Sequence, residues 1–110
     1  MTDLGGGVFV SRIDDDAWEP DPDVGGFMQV LFEDGDQAAG LWKPEAGMEV
    51  SEPIVLPARE TIVVLEGSAR IEVRDGPTLE LRAGDMASMP KGATTVWHLS
   101  PDFKEVWIYS

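Results

Sequence analysis

Arg59 to Gly67 reads RETIVVLEG and Gly84 to Gly92 reads GDMASMPKG. In the first stretch Thr61 to Leu65 is a continuous apolar and β-branched run, which predicts a strand buried on both faces. The chain after it alternates, with Ala69, Ile71 and Val73 on one side and Arg70, Glu72 and Arg74 on the other. Asp75-Gly76-Pro77 turns it, and Leu79 and Leu81 resume the inner side against Thr78, Glu80 and Arg82, so a hairpin with one wet face is expected. Ala83-Gly84-Asp85 reads as a turn, Met86 to Met89 as a short strand, and Pro90 to Gly92 as a corner. Thr94 to Leu99 and Glu105 to Tyr109 are the last two strands. Toward the N-terminus, Phe27 to Phe32 and Gln37 to Lys43 flank the turn at Glu33 to Asp36, and Pro44 to Gly47 turns again. No segment of ten residues carries helical periodicity. Short strands at this turn spacing predict an all-β sandwich or barrel, and jelly-roll closure covers the edges of so small a sheet protein.

The chain has 110 residues, enough for one domain with one modest core. With 43% hydrophobic and 26% charged residues it has a globular composition. No apolar run is long enough to span a bilayer, and MTDLGGGVFVSR lacks the pattern of a signal peptide, so the expected location is the cytoplasm. The absence of cysteine excludes disulfides, thiolate nucleophiles and thiolate-bound zinc. The net charge of −13 makes nucleic acid and anionic membrane surfaces poor partners. That charge is lopsided, with 13 acidic and two basic side chains in residues 1 to 55 and eight and six in residues 56 to 110. Asp14, Asp15, Asp16 and the segment Glu19 to Asp23 read as a solvated loop, the alternatives being a cation site or a basic partner.

The spacings of the two opening stretches resemble the signature halves of a cupin. Glu60 and Gly67 match the end of G(x)5HxH(x)3-4E(x)6G, and Gly84, Pro90 and Gly92 match the start of G(x)5PxG(x)2H(x)3N. Together with GLWKPEAG from Gly40, Trp97 and Lys104, the chain resembles the compact, RmlC-like cupin group that includes ureidoglycine aminohydrolase cupin domains and relatives of the ethanolamine-utilisation cupin. The resemblance covers about residues 37 to 110 and implies a cupin-type double-stranded β-helix, a jelly-roll barrel. Residues 1 to 36 are then an N-terminal extension and first strands that pack on the barrel, and a two-barrel protein is excluded by length. The sequence departs from the family pattern at the metal. Its histidine positions fall among Pro53, Ile54, Val55 and Leu56 and on Thr95, so of the usual ligands only Glu60 remains and neither metal nor other cofactor is expected. Val106 stands where the group often carries an aromatic residue, two after the lysine.

The resemblance turns the face of Glu60, Ile62 and Val64 into the barrel. A carboxylate there is paired with Lys104 or Arg59, or hydrogen-bonded as a structural acid, or is a working group whose pKa burial raises. Trp42, Trp97, Trp107, Tyr109 and Met89 serve either as core or as walls of an apolar pocket. His98, the one imidazole, points outward by alternation and has no nucleophile beside it. The expected ligand-binding set is Trp42, Glu60, Met89, Thr95, Trp97 and Lys104, with Glu60 also the catalytic candidate and no metal ligand. Three functions follow. They are a metal-free cupin binding a small organic metabolite with Glu60 as polar anchor, a lyase, isomerase or hydrolase using Glu60 as acid or base, and an assembly accessory without ligand. A homodimer is expected, because one small β domain cannot cover both faces of Thr61 to Leu65 from its own chain.

Overall fold

The computed structural model describes residues 1–14, 17–50 and 52–110. Asp15 and Asp16 of the acidic loop lie outside the described residues, as does Ser51. Among the described residues twelve strands follow in chain order: β1 (Thr2–Gly5), β2 (Val8–Val10), β3 (Glu19–Pro20), β4 (Phe27–Asp34), β5 (Gln37–Lys43), β6 (Ile54–Val55), β7 (Glu60–Glu66), β8 (Ser68–Val73), β9 (Thr78–Arg82), β10 (Met86–Met89), β11 (Thr94–Leu99) and β12 (Lys104–Tyr109). The eight strands expected from residue 27 onward are β4, β5 and β7 to β12. No helix of the described residues is long and apolar enough to cross a membrane.

β1 and β2 form a hairpin of their own, while the other strands make two sheets, ordered β10-β7-β12-β5-β4-β3 and β6-β11-β8-β9. Every pairing is antiparallel, and the two sheets face each other as a jelly-roll barrel. The core joins both sheets. Trp42, Ile62 and Val64 come from the larger one, Ala69, Ile71 and Trp97 from the smaller, and Phe103 from the turn before β12.

Period-two alternation sets which side chains look inward. Along β7, Glu60, Ile62 and Val64 are buried, whereas Thr61, Val63 and Leu65 are half-buried. The expectation of a strand buried on both faces is therefore corrected: the outer face is only partly covered. Residues from the N-terminal segment cover the outer face further along the sheet, where Gln29 Nε2 donates to Arg12 O (3.1 Å) and Ala39 and Leu41 are buried. Lys43 lies over the Trp18 ring at 4.4 Å, tying residues near β3 to β5.

Two glycines are required by their surroundings. Gly67 has φ 72°, and a Cβ there would sit 2.9 Å from Phe103 Cα. Gly40 lies directly opposite Trp107, and a Cβ on it would meet the indole Cζ2 at 2.8 Å, so the glycine makes room for the ring against the sheet.

Candidate functional site

The inner face of the larger sheet holds Glu60 on β7, Trp107 and Tyr109 on β12 and Trp42 on β5. The pairing explains why. Tyr109 is opposite Glu60, Trp107 is opposite Ile62, and Glu105 is opposite both Val64 and Trp42. Residues directly opposite in an antiparallel pair share a face. Glu105, Trp107 and Tyr109 therefore stand with Glu60 on the barrel side. These residues line a cavity of about 410 Å³, closed on the other side by Trp97 and Leu99 of β11. That volume suits a small organic molecule, for which pockets run roughly 300–1,000 Å³.

Glu60 is 6% exposed. Neither expected cationic partner reaches it. Arg59 Nη1 donates to Ser88 Oγ (3.0 Å), and Lys104 Nζ lies 3.2 Å from Glu66 Oε2. The ion-pair expectation is thereby corrected, for a reason of parity: Arg59 precedes the strand and Lys104 is directly opposite Glu66 at its far end. Burial without a compensating cation pushes the Glu60 pKa up to about 7.

Glu105 is the residue that sequence reasoning missed. It is 5% exposed, and its Oε2 has no hydrogen-bond partner among the described residues. Burial raises its pKa well above the carboxylate range, and the charge of Glu60 raises it further. The two backbones are four positions apart along β7, about 13 Å at the usual strand rise. Each carboxyl thus sits at its own level of one wall while feeling the other's charge. Tyr109 is pushed to about 12, first by burial and then by Glu60, Glu105, Asp21 and Asp23. Trp107 and Tyr109 pack with ring centroids 5.2 Å apart.

Of the expected ligand-binding residues, the structure brings Trp42, Glu60 and Trp97 together on the cavity wall and leaves Met89, Thr95 and Lys104 off it. Met89 is opposite Glu60 but packs in the core at 2% exposure. Thr95 is fully buried and its hydroxyl is engaged by the protein: it donates to Ile54 O (2.9 Å) and accepts from Trp97 Nε1 (2.8 Å). Asp21 and Asp23, read from sequence as part of a solvated loop, also line the cavity. His98 is on the outer face as expected, 2.8 Å from Glu72 Oε2, and lowers that carboxyl's pKa chiefly by this hydrogen bond.

The positions that hold a metal elsewhere in this fold do not fit one here. Ile54 and Thr95 are directly paired on β6 and β11, one side chain is aliphatic, and the other has its hydroxyl closed in protein hydrogen bonds. Among the described residues no three His, Asp or Glu side chains gather as a metal-binding group.

Solved structures with the same architecture are numerous. A putative ethanolamine utilization protein Q from Salmonella typhimurium superposes with a TM-score of 0.61 at 23% identity, covering 76% of this chain and 67% of that one. A cupin-2 domain containing protein from Shewanella frigidimarina gives 0.58 at 27% identity, covering 74% and 76%. A cupin-like protein from Thermotoga maritima gives 0.65 at 16% identity, covering 87% and 81%. No curated protein matches the chain. The family model described as EutQ-like cupin domain matches residues 31–104, a span that contains the Glu60, Gly67, Gly84, Pro90 and Gly92 spacing together with most of both sheets, and the chain belongs to that family.

Proposed function

We propose that the protein binds a small organic metabolite inside its barrel, without a metal, and that Glu60 is the polar anchor of the site. The observation that carries this reading is a buried carboxylate with no ion-pair partner among the described residues, in the wall of an open cavity. Desolvating that group costs stability, and a ligand that supplies its missing partner returns the cost as binding energy. A thermal-shift screen across neutral, acidic and basic metabolites tests the reading. At least one compound is expected to raise the melting temperature of the wild type and to leave the Glu60→Gln variant unmoved. A compound that stabilises both proteins equally would remove Glu60 from the site. Elemental analysis of the purified protein is expected to show no stoichiometric zinc, iron, manganese or nickel.

A second reading is favoured by Glu105. Two buried acids in one cavity, both with pKa values raised by burial, are an arrangement suited to proton transfer, with Glu60 as base and Glu105 as the candidate donor. It makes a lyase, isomerase or hydrolase of the same site. Turnover of a stabilising compound distinguishes this reading from binding alone. The accessory function calls for a filled barrel, and no observation favours it.

We further propose a homodimer through the outer face of β10, β7 and β12. Thr61, Val63 and Leu65 are half-buried there, and Met86 (68% exposed) and Ile108 (37% exposed) share their face by direct pairing with Val63 and Thr61. The expected result from light scattering is twice the chain mass, reduced to one chain by Val63→Glu. A wild-type monomer across micromolar concentrations would refute it.

A further inference from the structure

Six carboxylates line the cavity: Asp21, Asp23, Glu33, Asp36, Glu60 and Glu105. Among the described residues no Lys, Arg or His side chain lines it. The other contribution to the wall is aromatic, with three indoles from Trp42, Trp97 and Trp107. The indole N–H of Trp42 is already donated to Gly25 O (3.0 Å) and that of Trp97 to Thr95 Oγ1 (2.8 Å), so these two rings offer a ligand π surface and no donor. Among the described residues no group hydrogen-bonds the buried Glu105 Oε2, which leaves it to be paired by a ligand. A ligand complementary to this wall carries positive charge, presents N–H donors, and has an apolar body that stacks on indole. An anion would meet six like-charged or potentially charged groups. A neutral alcohol would satisfy one acceptor and forgo the rest.

We propose that the ligand of this cavity is a small protonated organic amine, whose ammonium lies along the wall between the levels of Glu60 and Glu105 and is held by the charge of both, and whose alkyl or aryl body packs on Trp42, Trp97 and Trp107. The inference rests on the barrel being a ligand site and adds the ligand's chemical class. Charge selection follows from the lining. A cation near Glu60 draws off its proton, because the ionised carboxylate gains a partner that neither Arg59 nor Lys104 supplies. Binding is then expected to tighten from pH 6 to pH 8, as Glu60 ionises through its value of about 7 while the amine stays protonated. Asp21 and Asp23 from the loop after β3, Glu33 from the end of β4, Asp36 from the β4–β5 turn, and the phenol of Tyr109 are the other titratable groups facing the cavity. None of them supplies a cation to oppose this trend.

The test uses the full chain and two matched sets: benzylamine, benzyl alcohol and benzoate, and cyclohexylamine, cyclohexanol and cyclohexanecarboxylate. Calorimetry and tryptophan fluorescence are read at pH 6 and pH 8. Each amine is expected to bind at least about tenfold more tightly than its alcohol or acid, and more tightly at pH 8 than at pH 6. Glu105→Gln is expected to weaken amine binding by at least about tenfold. Glu66→Gln, which breaks the exterior pair with Lys104, should leave it unchanged. An unaltered melting temperature of Glu105→Gln shows that a loss of binding is not a loss of fold. Should that variant melt early, the alcohol and acid comparisons on wild-type protein decide alone. If an alcohol or an acid binds as tightly as its amine, the amine assignment is overturned while the barrel remains a ligand site. If none of the six binds at millimolar concentration, both are overturned.

Discussion

Glu60→Gln is expected to make the free protein more stable at pH 8 and to change it little at pH 4. In the folded chain the carboxyl titrates near 7, against 4.5 as its ordinary value. The native state therefore holds the proton more tightly than the unfolded state between those two values, and the stability of the wild type falls as pH rises through that window. Below 4.5 both states are protonated and the group contributes no penalty. Above 7 the whole cost is present, about 3 kcal/mol for a difference of this size. Gln carries no charge and escapes that cost, though its buried amide brings a smaller desolvation cost of its own. A net gain of about 1 to 2 kcal/mol at pH 8, or several degrees in melting temperature, is expected. Scanning calorimetry at pH 4, 6 and 8 checks it. A variant that melts well below the wild type at pH 8 would mean that Glu60 is a structural partner of some other group and not an unpaired acid at a cavity wall.

Phe103→Ala is expected to cost about 3 to 5 kcal/mol. Phe103 has no exposed surface, sits 6.2 Å ring to ring from Trp42, and has Gly67 pressed against its Cα. It joins the turn before β12 to the end of β7. The turn is itself well fixed, since Ser100 Oγ donates to Asp102 Oδ1 (2.7 Å) and accepts from Ser68 N (2.8 Å), so the backbone cannot easily collapse into the space left by the ring. A loss of that size consumes much of the 5 to 15 kcal/mol typical of a domain. Urea denaturation measures it. A cost under about 1 kcal/mol would show that the site relaxes and that the Trp42 wall stands without this support.

The same two residues show where the sequence was legible and where it was not. The eight strands from β4 onward, omitting β6, were readable because short apolar runs, alternating in β8 and β9 and continuous in β7, stand between Gly, Pro and Asp turns. β1, β3 and β6 were not. Each is four residues or shorter and lacks alternation, and β3 ends on Pro20, so pairing with a neighbour decides them and local pattern does not. Phe103 was passed over because it follows Asp102 in a turn, where burial depends on Gly67 from a distant part of the chain. Glu105 did leave a signal. Trp107 and Tyr109 were read as wall or core residues, and two further steps of the same parity place Glu105 on their face. Its charge made it look like a strand boundary. Glu60 was placed inward correctly, yet Lys104 and Arg59 were expected as its partners without knowledge of the strand pairing, and register sent Lys104 to Glu66 instead. Asp21 and Asp23 looked like solvated loop residues because nothing local distinguishes a loop over a cavity from a loop over water.

Ligand binding and pH-dependent stability both depend on Glu60 being a buried acid, without an ion-pair partner among the described residues, that faces an open cavity. Its side-chain carboxyl can be followed directly by carbon-detected nuclear magnetic resonance, titrating the free protein and assigning the signal by its loss in Glu60→Gln. A midpoint near 7 is expected, falling on addition of an amine that stabilises the protein. A midpoint in the ordinary range around 4.5, unmoved by any stabilising ligand, would contradict that expectation.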